Sequence, residues 1–410
     1  MSRTRLARRM FKGFAVLAMS GVLGVGALLA SLWVERRTEI TLPTPTGSLA
    51  VGRVTYAWAD AAASDTLAPV SGAKRELLVW IWYPAAAGPS VAPDDYLPAQ
   101  MRAAAGPLGG PMRLVTRDAS KVHGHSARDA EVSPQARSYP VVIMRAGASA
   151  GVVGYSTLAE DLASHGYIVV GFDAPYRTNV VVFPDGRVMR RTPENNPELC
   201  AEKEQAQQAP CMSKLLAAWT ADIAFVLDRL ERLSSADASG RFAGRLDMTR
   251  VGVFGHSFGG ATAAQFCHDD PRCKAGIDVD GQPFGSVVQS GLHQPFLFLL
   301  SDHGNASDPV SRRILANIQS IYDRLPVEGR LRIAIRGANH FLFSDDGALL
   351  KSHIVLRMLR MLGIVGIDGR RQLAVTAYCV RSFFDASLKG GSVSGLKSAS
   401  PLYPEIQVLE

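Results

Sequence analysis

The sequence predicts an α/β fold: a mostly parallel central sheet with helices on both faces, preceded by a separate N-terminal apolar segment. Three observations predict it. From residue 139 onward, short apolar runs alternate with amphipathic helical stretches, the pattern of parallel strands buried on both faces. One such run leads into a glycine-flanked serine turn that opens a helix. Finally, 410 residues with 47% hydrophobic and 20% charged side chains supply ample core, which excludes disorder as the main state. The 38 Gly and 23 Pro show no period, and five Cys are too few for a disulfide-built miniprotein.

The N-terminus reads as a leader. The net charge is +7, but Arg3, Arg5, Arg8, Arg9 and Lys12 all lie in residues 1–34, which hold no acid, so the remainder carries only +2. A nucleic-acid-binding surface therefore has no support. Phe14 to Val34 is a run of 21 uncharged residues followed by Arg36 and Arg37. At about 1.5 Å per residue it matches a bilayer core of about 30 Å. The basic prefix orients the N-terminus inward and the rest outward. Two forms are consistent with it, a transmembrane anchor or a cleaved signal, and no clean A-x-A site precedes the body. Arg8-Arg9 faintly resembles a twin-arginine signal. Export is expected in both cases, to the periplasmic or extracellular side. Cys200 and Cys211, and Cys267 and Cys273, are close enough in sequence to close local disulfide loops there. Cys379 is left as a buried thiol.

The expected organisation is residues 1–37 leader, 38–48 linker, 49–392 catalytic-type domain and 393–410 C-terminal tail. Leu49–Trp58 and Glu76–Tyr83 read as strands. Residues 84–138 read as surface connections with at most a short helix, and His123 and His125 there as solvated loop residues, not metal ligands. Tyr139–Met144 is a strand, Ser156–His165 a helix stopped by Gly166, and Tyr167–Phe172 a strand. Residues 176–211 read as an insertion near a binding mouth, with a hairpin around Pro184-Asp185-Gly186 and a disulfide brace. Leu216, Trp219, Ile223, Val226, Leu230 and Leu233 form the core stripe of a helix expected over Met212–Leu233. Strands follow at Arg250–Gly255, Ala275–Val279, Pro295–Leu300 and Leu331–Ile335. A last helix carries Leu373, Ala377, Val380, Phe384 and Leu388 and ends at Gly390-Gly391.

The chemistry centres on Gly255-His256-Ser257-Phe258-Gly259-Gly260. A strand precedes it and a helix follows, the context of a nucleophile elbow. Small neighbours let the serine adopt strained angles, which present Oγ beside a helix N-terminus. A free serine is a weak nucleophile and needs a base with an orienting acid. His340 follows the last strand of the alternating series and fits the base. His353 falls in a helical stretch, His268 lies too near the nucleophile, and His293 and His303 precede that strand; His256 is expected to support the turn. For the acid, Asp280 and Asp302 both end strands and both remain open. Asp278, two residues before Asp280, should face the other side of the sheet. Two backbone amides should meet an oxyanion: Phe258, after the nucleophile, and Ala148, after the strand Tyr139–Met144.

With Val79-Trp80-Ile81-Trp82-Tyr83-Pro84, Asp161-Leu162-Ala163-Ser164-His165-Gly166-Tyr167, the elbow, Gly276-Ile277-Asp278-Val279-Asp280-Gly281 and His340 with Phe343-Ser344-Asp345, the chain resembles the plasma-type branch of the platelet-activating factor acetylhydrolase family from about Glu76 to Asp346. The resemblance implies an α/β-hydrolase fold, Asp280 as the acid, and a serine esterase acting on short-acyl or lipid esters without metal or organic cofactor. One departure stands out. The His-Gly usual before the oxyanion residue is Ala146-Gly147 here, preceded by Arg145, which keeps the amide and alters the pocket floor. The expected partners are an ester substrate and, through the leader, a membrane. The alternatives are a polyester or xenobiotic carboxylesterase, a haloperoxidase-type or acyltransferase use of the same triad, or a non-catalytic envelope binding module on the same scaffold.

Overall fold

A computed structural model describes residues 3–86, 93–105, 117–302, 309–349, 357–358, 360–362, 366–398 and 400–409. His303 and His353 lie outside the described residues.

The leader is one helix, α1 (Arg3–Arg37). Its apolar stretch Ala18–Arg37 is long and apolar enough to cross a membrane, with only 6% of the stretch buried against the body. The body is built on a twelve-stranded sheet. Its strands are β1 (Ile40–Thr41), β2 (Ala50–Ser64), β3 (Lys74–Ala85), β4 (Pro93–Asp95), β5 (Val122–Arg128), β6 (Tyr139–Arg145), β7 (Ile168–Asp173), β10 (Leu246–His256), β11 (Cys273–Val279), β12 (Phe296–Leu300), β13 (Arg330–Ile335) and β14 (Ile406–Val408), with β8 (Val180–Val182) and β9 (Val188–Arg190) forming a separate hairpin. The order is β1-β5-β2-β3-β7-β6-β10-β11-β12-β13-β14, with β4 on β5. The run β7-β6-β10-β11-β12-β13 is parallel throughout. Each of its strands except β13 is buried along most of its length, as continuous apolar runs require.

The helices are α2 (Ala99–Ala105), α3 (Ser156–Ser164), α4 (Pro197–Ala201), α5 (Gln205–Ala236), α6 (Phe258–Asp269), α7 (Val287–Ser290), α8 (Pro309–Tyr322), α9 (Asp346–Leu349) and α10 (Gly369–Lys389). They cover the sheet on two sides. One apolar layer joins Val142, Met144, Val169 and Ile277 to Leu158 and Leu162 of α3 and Val380 and Phe384 of α10. The other joins Val141, Ile143, Val251 and Phe298 to Ile223, Val226 and Leu230 of α5 and Ile318 of α8. The stripe on α5 thus meets the sheet as its spacing predicts. Gly390, in the left-handed region at φ 72°, ends α10.

Three expectations need correction. Residues 84–138 are not only surface connections: β5 runs parallel to β2 and places His123 and His125 on a strand. His125 Nε2 is 3.0 Å from Leu42 O, and His123 Nε2 is 3.4 Å from Glu39. Beyond Val122 the sequence Val-His-Gly-His-Ser-Ala-Arg lacks strand-forming residues, and its pairing is supported by a buried Glu160 on α3. That carboxylate accepts from His125 N, Ser126 N and Ser126 Oγ. The long helix begins at Gln205, not Met212, so Pro210 and Cys211 lie inside it. Cys211 is bonded to Cys200 of α4, and Cys267 to Cys273. Within the segment read as a C-terminal tail, β14 pairs antiparallel with β13.

Candidate active site

The nucleophile candidate sits where β10 ends and α6 begins. Ser257 has φ 57° and ψ −123°, in the left-handed half of the map that L-residues avoid. Its N–H donates to Val279 O on the neighbouring strand at 2.9 Å. The turn closes only because its flanks are bare: a Cβ on Gly255 would lie 2.2 Å from Gly259 O, and one on Gly259 2.4 Å from Ala146 O. The glycines of the motif are thus demanded by backbone-to-backbone contact.

His340 opens a short 3-10 turn after β13. Asn339 holds its entry: Asn339 N donates to Gln372 Oε1 at 3.0 Å, and Gln372 Nε2 donates to Asn339 O at 2.8 Å. The imidazole bridges two distant segments. Ser257 Oγ is 3.1 Å from Nε2, and Asp280 Oδ2 is 2.7 Å from Nδ1. Asp280 follows β11, also at positive φ (54°), and its other oxygen accepts from Ser301 N and Ser301 Oγ at 2.8 and 2.9 Å. Asp302 Oδ2 instead accepts from Gly337 N at 2.8 Å and braces the loop after β13. Asp278 is fully buried and turned away: Oδ1 accepts from Gly281 N at 2.7 Å, and burial holds its carboxyl well above the usual range.

The oxyanion candidates lie beside the serine. Phe258 N is the first amide of α6, without an intrahelical partner by position. Gly147, preceding Ala148, approaches so closely that a Cβ on it would be 3.4 Å from Ser257 Cβ. His256 is buried, with its ring 4.6 Å from that of His340. Burial, then the neighbouring His340, lowers its pKa to about 3. A neutral His256 leaves room for positive charge to form on His340.

An apolar wall adjoins the two amides. Trp219 and Leu215 of α5, Cys200 and Leu67 pack with Phe258, and half-buried Ala148, Met212 and Phe284 lie against them. The Trp219 ring meets Phe258 edge-on at 4.8 Å. Arg145, at the departure noted above, is buried behind this wall between Phe172 and Trp219, 4.1 and 4.3 Å from their centroids. The insertion residues therefore border the site through Cys200 and the start of α5. Among the described residues no cluster of His, Cys, Asp or Glu could hold a metal ion.

Several residues around the site were not legible beforehand. Tyr155, Gln372 and Arg177 carry no motif; only the Phe-Ser-Asp string after His340 pointed to Asp345.

Comparison with known proteins gives the family. The family model described as platelet-activating factor acetylhydrolase, isoform II, matches residues 36–389. A probable 1-alkyl-2-acetylglycerophosphocholine esterase of Arthroderma benhamiae is 26% identical over 283 residues, 66% of this chain and 66% of that protein. The platelet-activating factor acetylhydrolase of Cavia porcellus is 29% identical over 246 residues, 55% of this chain and 52% of that one. The matched stretch thus spans about half to two thirds of the length of these curated relatives. A ferulic acid esterase from Streptomyces cinnamoneus superposes with a TM-score of 0.71 at 27% identity, covering 90% of this chain and 99% of that one. With the family model matched across most of its length, the chain belongs to the platelet-activating factor acetylhydrolase isoform II family, on an α/β-hydrolase fold.

Proposed function

We propose that the chain is an exported serine esterase that cleaves carboxylic esters through an acyl-enzyme. One observation carries the reading: three side chains 60 and 83 residues apart in pairs meet at the carboxyl edge of one sheet, at 2.7 and 3.1 Å. Ser257 Oγ attacks the ester carbonyl carbon while His340 Nε2 takes its proton. The carbonyl oxygen, now anionic, is met by the amides of Ala148 and Phe258, a contribution of about 3 to 4 kcal/mol per donor in comparable sites. Collapse breaks the bond to the alcohol oxygen, which receives the proton from His340. Water, deprotonated by the same imidazole, then attacks the acyl carbon and releases the acid and Ser257. Asp280 holds Nδ1–H and balances the imidazolium. No step requires a metal or organic cofactor.

The proposed substrate class is short-acyl or lipid esters. The named relatives support it, and so does the position of the leader. Arg117 donates to Glu35 O at the end of α1, and Arg370 of α10 donates to Thr41 O just beyond it. Two residues on, Gln372 grips Asn339 beside His340. The end of the apolar helix and the base loop therefore share one end of α10, and Phe341, 67% exposed, lies next to the base. A leader retained as an anchor would hold the site near the bilayer. A second reading, a carboxylesterase for soluble esters, is favoured by the likeness to the ferulic acid esterase. The test is a panel of p-nitrophenyl esters from acetate to palmitate, with methyl ferulate and a 2-acetyl ether phospholipid in vesicles. The lipid reading predicts preference for the acetyl phospholipid and p-nitrophenyl acetate; preference for methyl ferulate would establish the second, and turnover of none would sink both.

A further inference from the structure

The turn that opens α3 touches three separate parts of the proposed site. Tyr155 OH accepts from Gly147 N at 3.1 Å and is hydrogen-bonded to His256 Nδ1 at 2.8 Å. The next two amides, Ser156 N and Thr157 N, donate to Asp345 Oδ2 and Oδ1, each at 3.0 Å. In return Asp345 N donates to Gly154 O at 2.7 Å. Tyr96 OH is a third donor to this carboxyl group, on Oδ2 at 3.1 Å. Tyr155 and Asp345 are 2% and 0% exposed, so water does not compete for these bonds.

Each partner belongs to a different piece of the machinery. Gly147 precedes the oxyanion amide of Ala148. His256 precedes the nucleophile, and its ring packs at a tilt against that of the base, 4.6 Å between centroids. Asp345 closes the loop that begins at His340. We propose that Tyr155 and Asp345 are positioning residues that lock the oxyanion turn, the nucleophile elbow and the base loop into one register. Neither residue is among those that touch the reacting atoms in the scheme above. A phenol serves at position 155 because its hydroxyl can accept from an amide and still hydrogen-bond an imidazole nitrogen. A carboxyl group serves at position 345 because its two oxygens each accept from one of two successive amides at a helix N-terminus.

The proposal rests on the serine-esterase reading. Its test uses the full-length protein and p-nitrophenyl acetate. Tyr155→Phe keeps the buried ring and removes only the hydroxyl. Loss of register of about 1 Å lowers turnover by up to a hundredfold, so kcat should fall about tenfold or more while KM stays within about threefold. Asp345→Asn should follow the same split. Wild-type kcat in Tyr155→Phe overturns the proposal, whatever its melting temperature, and that variant alone decides if Asp345→Asn does not fold. A rise in KM with kcat unchanged also overturns it, since that would mark lost binding, not lost alignment. If the wild-type protein itself turns over no ester, the esterase reading fails and takes this proposal with it.

Discussion

At the residue scale, Ser257 and Asp280 share an unusual feature: both are non-glycine residues at positive φ, 57° and 54°. Such positions cost about 1 to 3 kcal/mol each and persist only where the surroundings over-determine them. Here the surroundings are two ladder-like bonds, Ser257 N to Val279 O and Asp280 N to Leu299 O. Ser257 and His340 were legible because a motif and a chain order point to them. The acid was not legible from spacing, since Asp280 and Asp302 both end strands; side-chain direction separates them, and direction depends on φ. Asp280→Asn should lower kcat about 10⁴-fold, whereas Asp302→Asn, which alters the bond to Gly337 N, should stay within tenfold. The reverse order would make Asp302 the acid. His256 offers a pH test. Its folded pKa, about 3, is below its unfolded value, so its contribution to stability is present above about pH 6.5 and is lost as pH falls toward 3. The destabilisation measured for His256→Asn by urea unfolding should therefore shrink between pH 7 and pH 4, by at most about 1.4 kcal/mol per pH unit. A constant difference across that range would contradict the neutral, buried imidazole.

At the element scale, the wall beside the oxyanion amides depends on how α5 and the insertion are pinned. Arg177, after β7, donates to Asp65 after β2 and to Asp222 of α5; all three side chains are at most 1% exposed. Removing one member of such a buried network leaves uncompensated charge and costs about 3 to 5 kcal/mol. Arg177→Met should lose stability on that scale in urea unfolding, with an unchanged m-value. A loss below 1 kcal/mol would mean the network is not what pins α5. The helical stripe of α5 was legible from its period. Its start was not, because Pro210 and Cys211 read as loop residues while the disulfide to Cys200 secures that end. Strand β5 was hidden for a related reason: its residues have little strand propensity, and a buried carboxylate from another element, Glu160, fixes its backbone. Long-range support of this kind leaves no periodic trace.

At the scale of the whole molecule, the sheet acts as a ruler. Parallel strands end at one edge, and loops after β6, β10, β11 and β13 bring the proposed oxyanion amide, nucleophile, acid and base there. The alternation of apolar runs and amphipathic helices made this architecture legible, because burial on both faces writes a strong pattern. The flanking strands β1, β4 and β14 are only two or three residues long and, like β5, partly exposed, and write almost none. The central claim is that this edge activates Ser257 for covalent chemistry. The most direct measurement is labelling of the full-length protein with a fluorophosphonate, read by intact mass and peptide mapping. One adduct is expected, on the peptide containing Ser257, lost in Ser257→Ala and strongly slowed in His340→Ala. No adduct, an adduct on another residue, or labelling indifferent to His340 would contradict it.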